Sequence, residues 1–429
     1  MAMKYLDRLI DKSLEEALNS IGCVYVMGPK FCGKSTSCRR FASSVTELKN
    51  KNQIELASSD PLSALRGTSP HLIDEWQKVP LLWDLIRDDL DKDYVFGKYI
   101  ITGSTTPSSL RGNEHSGAGR IASLVMRPLS LFESKESSGA VSLSKLFDDS
   151  NVDTIPWDKN PLSLSELARL MCRGGWPISI YAKKEYQVKT TSMYYDGLFN
   201  ITNGNDEYST FLKSKDIDLL KLILKEFARN ISTQTRKTKM IDEILRSGAR
   251  KCLDDDTFLS YKKILENLFI IYDTPAWNMN LRTSVSVGTS PTYHFFDTSI
   301  ALACLGATPA SLLLDLNSMG LFFEDFVYRD LSVYASTFDA KIHHYRDSGG
   351  QEVDAIVSKE NGDYGAIEIK LYSEENVNAA VSSLNRFEAK AIKNGNKPPL
   401  FKMVLTSHGP SYKRSEDNVV VVPINFLRD

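Results

Sequence analysis

Gly22-Cys-Val-Tyr-Val-Met27, followed by Gly28-Pro29-Lys30-Phe31-Cys32-Gly33-Lys34-Ser35-Thr36, decides how the first part of this chain folds. The first six residues form a compact apolar run of the kind found in strands buried on both faces. The next eight spell G-x-x-x-x-G-K-S. Glycines at both ends of such a loop let the backbone turn sharply with its N–H groups facing inward. Those groups, with the start of a helix from Lys34, cradle phosphates. Lys34 is then expected to reach the β- and γ-phosphates of a nucleotide, and the Ser35 hydroxyl to ligate Mg²⁺. The expected binding set is Gly28, Pro29, Lys30, Phe31, Cys32, Gly33, Lys34, Ser35 and Thr36. A Gly-containing turn matches this motif by chance at times, but seldom between an apolar strand and a helix.

Further along, short apolar runs alternate with helical patterns. His71-Leu72-Ile73 ends in Asp74-Glu75, and Tyr99-Ile100-Ile101-Thr102 ends in Gly103-Ser104. Ile54–Leu56 reads as another short strand. Strand, loop and helix in repetition imply a parallel sheet covered on both faces, so the fold class is α/β. An apolar strand ending in two acids supplies one for a metal and one for water. Asp74 is expected to hold Mg²⁺ through water, and Glu75 to orient the attacking water. Ser104 or Thr102, at the end of a neighbouring strand, would face the γ-phosphate; a plain turn is the competing reading. Arg120, in Gly117-Ala-Gly-Arg120, is a candidate arginine finger, with Arg111 and Arg127 as competitors.

The 52 basic and 54 acidic side chains nearly balance over 429 residues. A global basic field for nucleic acid is therefore excluded, and any such contact needs a local patch. Arg236–Lys239 and Arg246–Lys251 are such patches, equally readable as solvated helix faces. Six cysteines without C-x-x-C spacing read as reduced thiols. No signal peptide is apparent at Met1–Leu18, and no uncharged apolar stretch is long enough to span a membrane. A cytoplasmic protein is the expectation.

Three domains are expected: residues 1–140, 160–305 and 312–429. Ser134–Asn160, rich in Ser and Asp, reads as a surface linker. The middle part is helical, with apolar spacing over Asp216–Phe227 and Asp255–Leu268, then a strand at Phe269–Tyr272. Helices before a short strand pair suggest a winged-helix-like unit. The last part reads as a helix over Gly320–Tyr334, then a small mixed α/β domain. In it Glu368 and Lys370 alternate with Ile367 and Ile369, so the two charges share one strand face. With Asp354 on a neighbouring strand they suit a metal site, Asp354 and Glu368 holding Mg²⁺ and Lys370 activating water. Glu324, on the preceding helix, would add a further acid. A hairpin with solvated charges is the competing reading.

Asp354, then Glu368-Ile369-Lys370, resembles the PD-(D/E)XK pattern of restriction-type nucleases. The whole chain resembles a prokaryotic AAA-family P-loop ATPase carrying such a domain at its end. The resemblance rests on Tyr5-Leu-Asp-Arg8, the Gly28–Ser35 loop, Ile73-Asp-Glu-Trp-Gln-Lys-Val-Pro80, Ile101-Thr-Gly-Ser104 and Gly119-Arg120. It continues through Arg127-Pro-Leu-Ser130, Gly174-Gly-Trp-Pro177, Phe227-Ala-Arg-Asn230 and Phe296-Asp-Thr298. Pro29-Lys30-Phe31-Cys32 departs from the Arg-containing loops common in that family. The resemblance implies ATP and Mg²⁺ as ligands and ATP hydrolysis controlling a nuclease-like domain in DNA processing or defence. Sites of that kind are often completed between subunits of a homo-oligomer, so Arg120 would act in cis or from a neighbouring subunit. An ATP-dependent switch that binds a protein partner, with a catalytically silent nuclease-like domain, is the alternative. GTP is disfavoured because no N-K-x-D motif follows the loop.

Overall fold

The structure is a computed structural model that describes residues 4–104, 117–150, 152–156, 159–199, 215–278 and 290–429. Arg111 lies outside them. The apolar runs do become strands. Strands β1 (Cys23–Met27), β2 (Ser44–Glu47), β3 (His71–Asp74), β4 (Tyr99–Gly103) and β5 (Ile121–Val125) form one sheet in the order β2-β3-β4-β1-β5. Every pairing in it is parallel. Period-2 alternation splits the side chains between two layers. Val24, Val26, Leu72 and Ile100 enter one apolar cluster, and Cys23, Tyr25, Ile73, Tyr99 and Ile101 enter another. Burial on both faces explains why β1 carries no charged side chain.

The strand expected at Ile54–Leu56 is instead part of the helix Lys51–Ser59. The Asn50 side chain caps it by accepting from the Gln53 amide at 2.9 Å. The alternation Ile54-Glu55-Leu56 did not mark a strand, because the cap and the helical spacing around it won.

The middle of the chain is helical over Leu164–Arg173, Pro177–Tyr181, Gln187–Phe199, Ile217–Arg229, Lys237–Arg246 and Asp255–Asn267. Asp216 and Asp254 cap two of these helices. The expected linker is not a surface connection. Strand β6 (Val141–Ser142) lies within it and pairs in parallel with β15 (Leu427–Arg428) at the far end of the chain. Ser134 and Ser137 are buried because their hydroxyls find carbonyls: Ser137 Oγ donates to Leu427 O at 2.6 Å, and Ser134 Oγ to Ser130 O at 2.8 Å. Leu143, Leu146 and Phe147 join the core beneath them.

After the antiparallel pair β7 (Ile271–Thr274) and β8 (Thr292–Phe295) comes the helix Thr298–Leu305, and later the long helix Leu316–Ala335. Strands β9 (Lys341–Arg346), β10 (Glu352–Ser358), β11 (Tyr364–Lys370), β12 (Phe401–Thr406), β13 (Tyr412–Lys413) and β14 (Val419–Pro423) form a mixed sheet. Its order is β13-β14-β12-β11-β10-β9. β11 and β12 run parallel, so the chain must cross over between them, and the helix Glu374–Lys393 does so. One buried cluster runs from Val24 and Ile100 in the first sheet through Phe227 and Phe295 to Ile367 and Val420 in the last. The three parts therefore share a core.

Candidate functional site

Three strand ends meet at one edge of the first sheet. β4 lies between β1 and β3, with Met27 opposite Gly103 and Asp74 opposite Thr102. That order gathers the loop after β1, the acids after β3 and the polar end of β4 at the same edge, where parallel sheets hold their ligands. Gly28 and Gly33 have φ of 152° and 111°. A Cβ on Gly28 would come 2.1 Å from Met126 O, so only glycine lets the loop pass β5 this closely.

Lys34 is buried, and its ammonium donates to Gly28 O and Pro29 O, each at 2.8 Å. Ser35 Oγ donates to Asp74 Oδ1 at 2.7 Å, and Thr102 Oγ1 donates to the same oxygen at 2.5 Å. Lys49 Nζ lies 3.0 Å from Asp74 Oδ2 and Arg39 Nη2 lies 3.8 Å from it. Burial alone would push the Asp74 carboxyl up. Hydroxyl donation by Ser35 and Thr102, with the Lys49 ammonium, outweighs it and holds the group below the usual carboxylate range. A hydroxyl beside an ionised carboxylate is the hard-oxygen donor set that Mg²⁺ prefers, so Ser35 and Asp74 fit the ion.

Glu75 follows at once, in the left-handed region with φ 66° and ψ 43°. For a residue with a Cβ this costs on the order of 1–3 kcal/mol and persists only where the surroundings over-determine it. Here Thr102 O accepts from the Glu75 amide at 3.0 Å. Ser104 is buried beside these groups at the end of β4, while Thr36 faces outward on the helix Lys34–Arg39.

Arg120 is not brought to this edge. It precedes β5, and its carbonyl accepts from the Cys23 amide at the opposite end of the sheet. One strand length, about 16 Å at 3.3 Å per residue, separates it from the phosphate loop. Its guanidinium is engaged by Asp91 at 2.6 Å. Arg127 is also spoken for, packed over the rings of Tyr272 and Phe296. Proximity in sequence to the loop said nothing about which sheet edge an arginine would occupy.

Several residues at the site had not been singled out for a role. Arg8 is buried, with Nε 3.0 Å from Glu133 Oε1, Nη1 donating to Cys32 O at 2.8 Å and Nη2 to Arg127 O at 2.6 Å. It ties the phosphate loop to the segment after β5. Tyr194, from the helix Gln187–Phe199, donates to Lys30 O at 2.8 Å and meets Phe31 edge-on. Phe31 itself has φ 63°. Lys49 stands just past β2 and is placed by the β2–β3 pairing, which no local motif reveals. Only Arg8 carried a signal, as the last residue of Tyr5-Leu-Asp-Arg8.

The C-terminal charges also converge. Lys370 Nζ lies 2.7 Å from Asp354 Oδ2 and 2.8 Å from Glu368 Oε2, and the Ile369 amide donates to Asp354 Oδ2 at 2.7 Å. Burial, then the neighbouring Asp354, pushes the Glu368 carboxyl up to about 8, against the pull of Lys370. Burial, then Asp354, raises Glu324 as well. The expected Mg²⁺ ligands are Asp354 and Glu368, with Glu324 as a further acid whose carboxyl Asp354 and Glu368 both push up. Among the described residues no three acidic, His or Cys side chains gather closely enough to hold a metal ion. The Lys370 ammonium sits between the two carboxylates and supplies the counter-charge.

Comparison with known proteins places this geometry. Residues 21–135 match the family model described as an AAA domain. Residues 164–311 match a domain of unknown function (DUF8612), and residues 319–427 another (DUF4143). Uncharacterized proteins of Mycobacterium tuberculosis and Mycobacterium bovis are each 24% identical over 381 residues, 86% of this chain and 75% of their own. The solved Walker-type ATPase of Pyrococcus abyssi aligns over 70% of this chain and 96% of its own, with a TM-score of 0.44 and 16% identity. Among the described residues no helix is long and apolar enough to cross a membrane. The family match, the strand order and the loop geometry together support an AAA-like P-loop ATPase fold for residues 21–135.

Proposed function

We propose that this chain binds ATP with Mg²⁺ at Gly28–Ser35 and hydrolyses it, with Glu75 as the base that orients water. The observation that carries this reading is the set Ser35–Asp74–Thr102, hydrogen-bonded at the edge where loop, β3 and β4 meet. Ser35 and Asp74 hold Mg²⁺, which when bound neutralises charge on the phosphates. Lys34 exchanges the Gly28 and Pro29 carbonyls for phosphate oxygens. Glu75→Gln keeps the shape of the side chain and removes the base. It is expected to bind ATP with unchanged affinity while turnover falls at least about a hundredfold. Phosphate release and calorimetric titration measure the two. Hydrolysis at the wild-type rate would overturn the role of Glu75.

The nucleotide state controls the C-terminal domain in this reading, and the shared core supports such a coupling. Asp354, Glu368 and Lys370, close together on one sheet face, favour a second activity, cleavage of a DNA phosphodiester. Incubation of plasmid DNA with Mg²⁺ or Mn²⁺ tests it. Wild type is expected to nick the plasmid, and Asp354→Ala to leave it intact. Equal nicking, or none by either, sinks the nuclease reading and leaves the domain as a binding module for a protein partner.

A further inference from the structure

Gln77 lies two residues past Glu75 in a short 3-10 turn, Trp76–Lys78, and is 4% exposed. Its Nε2 donates to Glu75 Oε2 at 2.8 Å. Its Oε1 is buried without a hydrogen-bond partner. Buried amides almost always satisfy both ends, so an orphaned carbonyl oxygen beside a functional carboxylate calls for an explanation. The fold has also cleared space for this amide. A Cβ on Gly103, at the end of β4, would come 2.4 Å from Gln77 Oε1. Glycine there is what allows the amide to sit between Glu75 and β4.

The geometry points to Gln77 as the positioning residue of the hydrolytic site: with its Oε1 packed against Gly103, its amide N–H fixes the Glu75 carboxylate that orients the water. This rests on the reading of Glu75 as the base. One carboxylate oxygen is engaged by the amide, which leaves the other for the water. A carboxylate held in one orientation presents that free oxygen at a fixed place, which is what aligns an attacking water. The backbone strain at Glu75 and the Gln77 amide then serve the same end, a carboxylate with one orientation.

The test uses the full chain and three variants. Gln77→Met keeps the volume but has neither donor nor acceptor. Gln77→Glu keeps the shape but faces Glu75 with a second carboxylate. Gly103→Ala leaves Gln77 in place chemically and displaces it sterically. Each is expected to lower kcat by roughly ten- to a hundredfold, the worth of a hydrogen bond to a charged group. The KM for ATP and the calorimetric affinity should stay within about twofold, because the amide acts through Glu75 and not on nucleotide. A merely structural role would instead lower the thermal midpoint and weaken ATP binding together with kcat. Gln77→Met at the wild-type kcat, or with kcat and affinity falling in step, would overturn the assignment. Glu75→Gln run alongside separates the two ideas. If that variant hydrolyses normally, the base assignment has failed; if it is inactive while the Gln77 variants are normal, only the positioning role has.

Discussion

Alanine at position 34 is expected to lower kcat/KM for ATP by on the order of a thousandfold, the upper range for losing one pre-placed charge-stabilising donor. Lys34 is 5% exposed, and its ammonium is held by Gly28 O and Pro29 O at 2.8 Å. It is pre-placed inside the turn, so truncation removes charge where no solvent cation replaces it. It also leaves two loop carbonyls without their donor. Lys34→Arg is expected to rescue little, since a planar fork does not fit a pocket shaped for a point charge. Phosphate release under single-turnover conditions, with calorimetric titration of ATP, measures both effects. A variant within about threefold of wild type on both would show that the loop does not act through this lysine.

Methionine in place of Arg329 should cost about 3–5 kcal/mol of stability, the penalty for leaving a buried charge uncompensated. Arg329, Asp297 and Asp330 are all buried. Arg329 Nη1 lies 3.2 Å from Asp297 Oδ2, and Nη2 lies 2.7 Å from Asp330 Oδ1. Each carboxylate also serves another part of the chain: Asp297 Oδ2 accepts from the Gly175 amide at 2.8 Å, and Asp330 Oδ2 from the Leu131 amide at 2.9 Å. The guanidinium therefore neutralises the joint between all three parts. Burial already pushes the Asp330 carboxyl above its usual range, with Arg329 pulling it back. Without Arg329 the folded state would keep a proton that the unfolded chain releases near pH 4. Such a group favours folding at low pH and loses that contribution as pH rises. The deficit of Arg329→Met should accordingly be smaller at pH 5 than at pH 8 in urea titrations. A deficit that grows on acidification would contradict this account.

The phosphate loop was legible because its chemistry is local. Glycines, lysine and serine at fixed spacing need only one turn, and an apolar strand before them names the sheet. Asp74 and Glu75 were legible for a related reason, standing at the end of a short buried run. Glu368 and Lys370 followed from strand alternation. The place of Arg120 was not legible because it depends on which sheet edge the residue occupies, and β5 pairs with β1 so as to put it at the edge far from its own chain's phosphate loop. The Ser134–Asn160 stretch failed because its polar composition looked like solvent exposure. A partner of Ser137 lies 290 residues away, in the C-terminal strand that also pairs with β6.

By itself, then, the sequence determined the α/β class, the loop, the two acids after β3 and the helix and strand periods of the rest. Those features are governed by local backbone chemistry and by hydrophobic spacing within single elements. Only the tertiary structure decided that Lys49 and Arg8 attend the site, that Gln77 backs Glu75, that Lys370 stands between two carboxylates, and that the three parts share one core. The reason is physical. Contacts between elements depend on sheet order and register, and those are chosen by the burial of the whole chain at once.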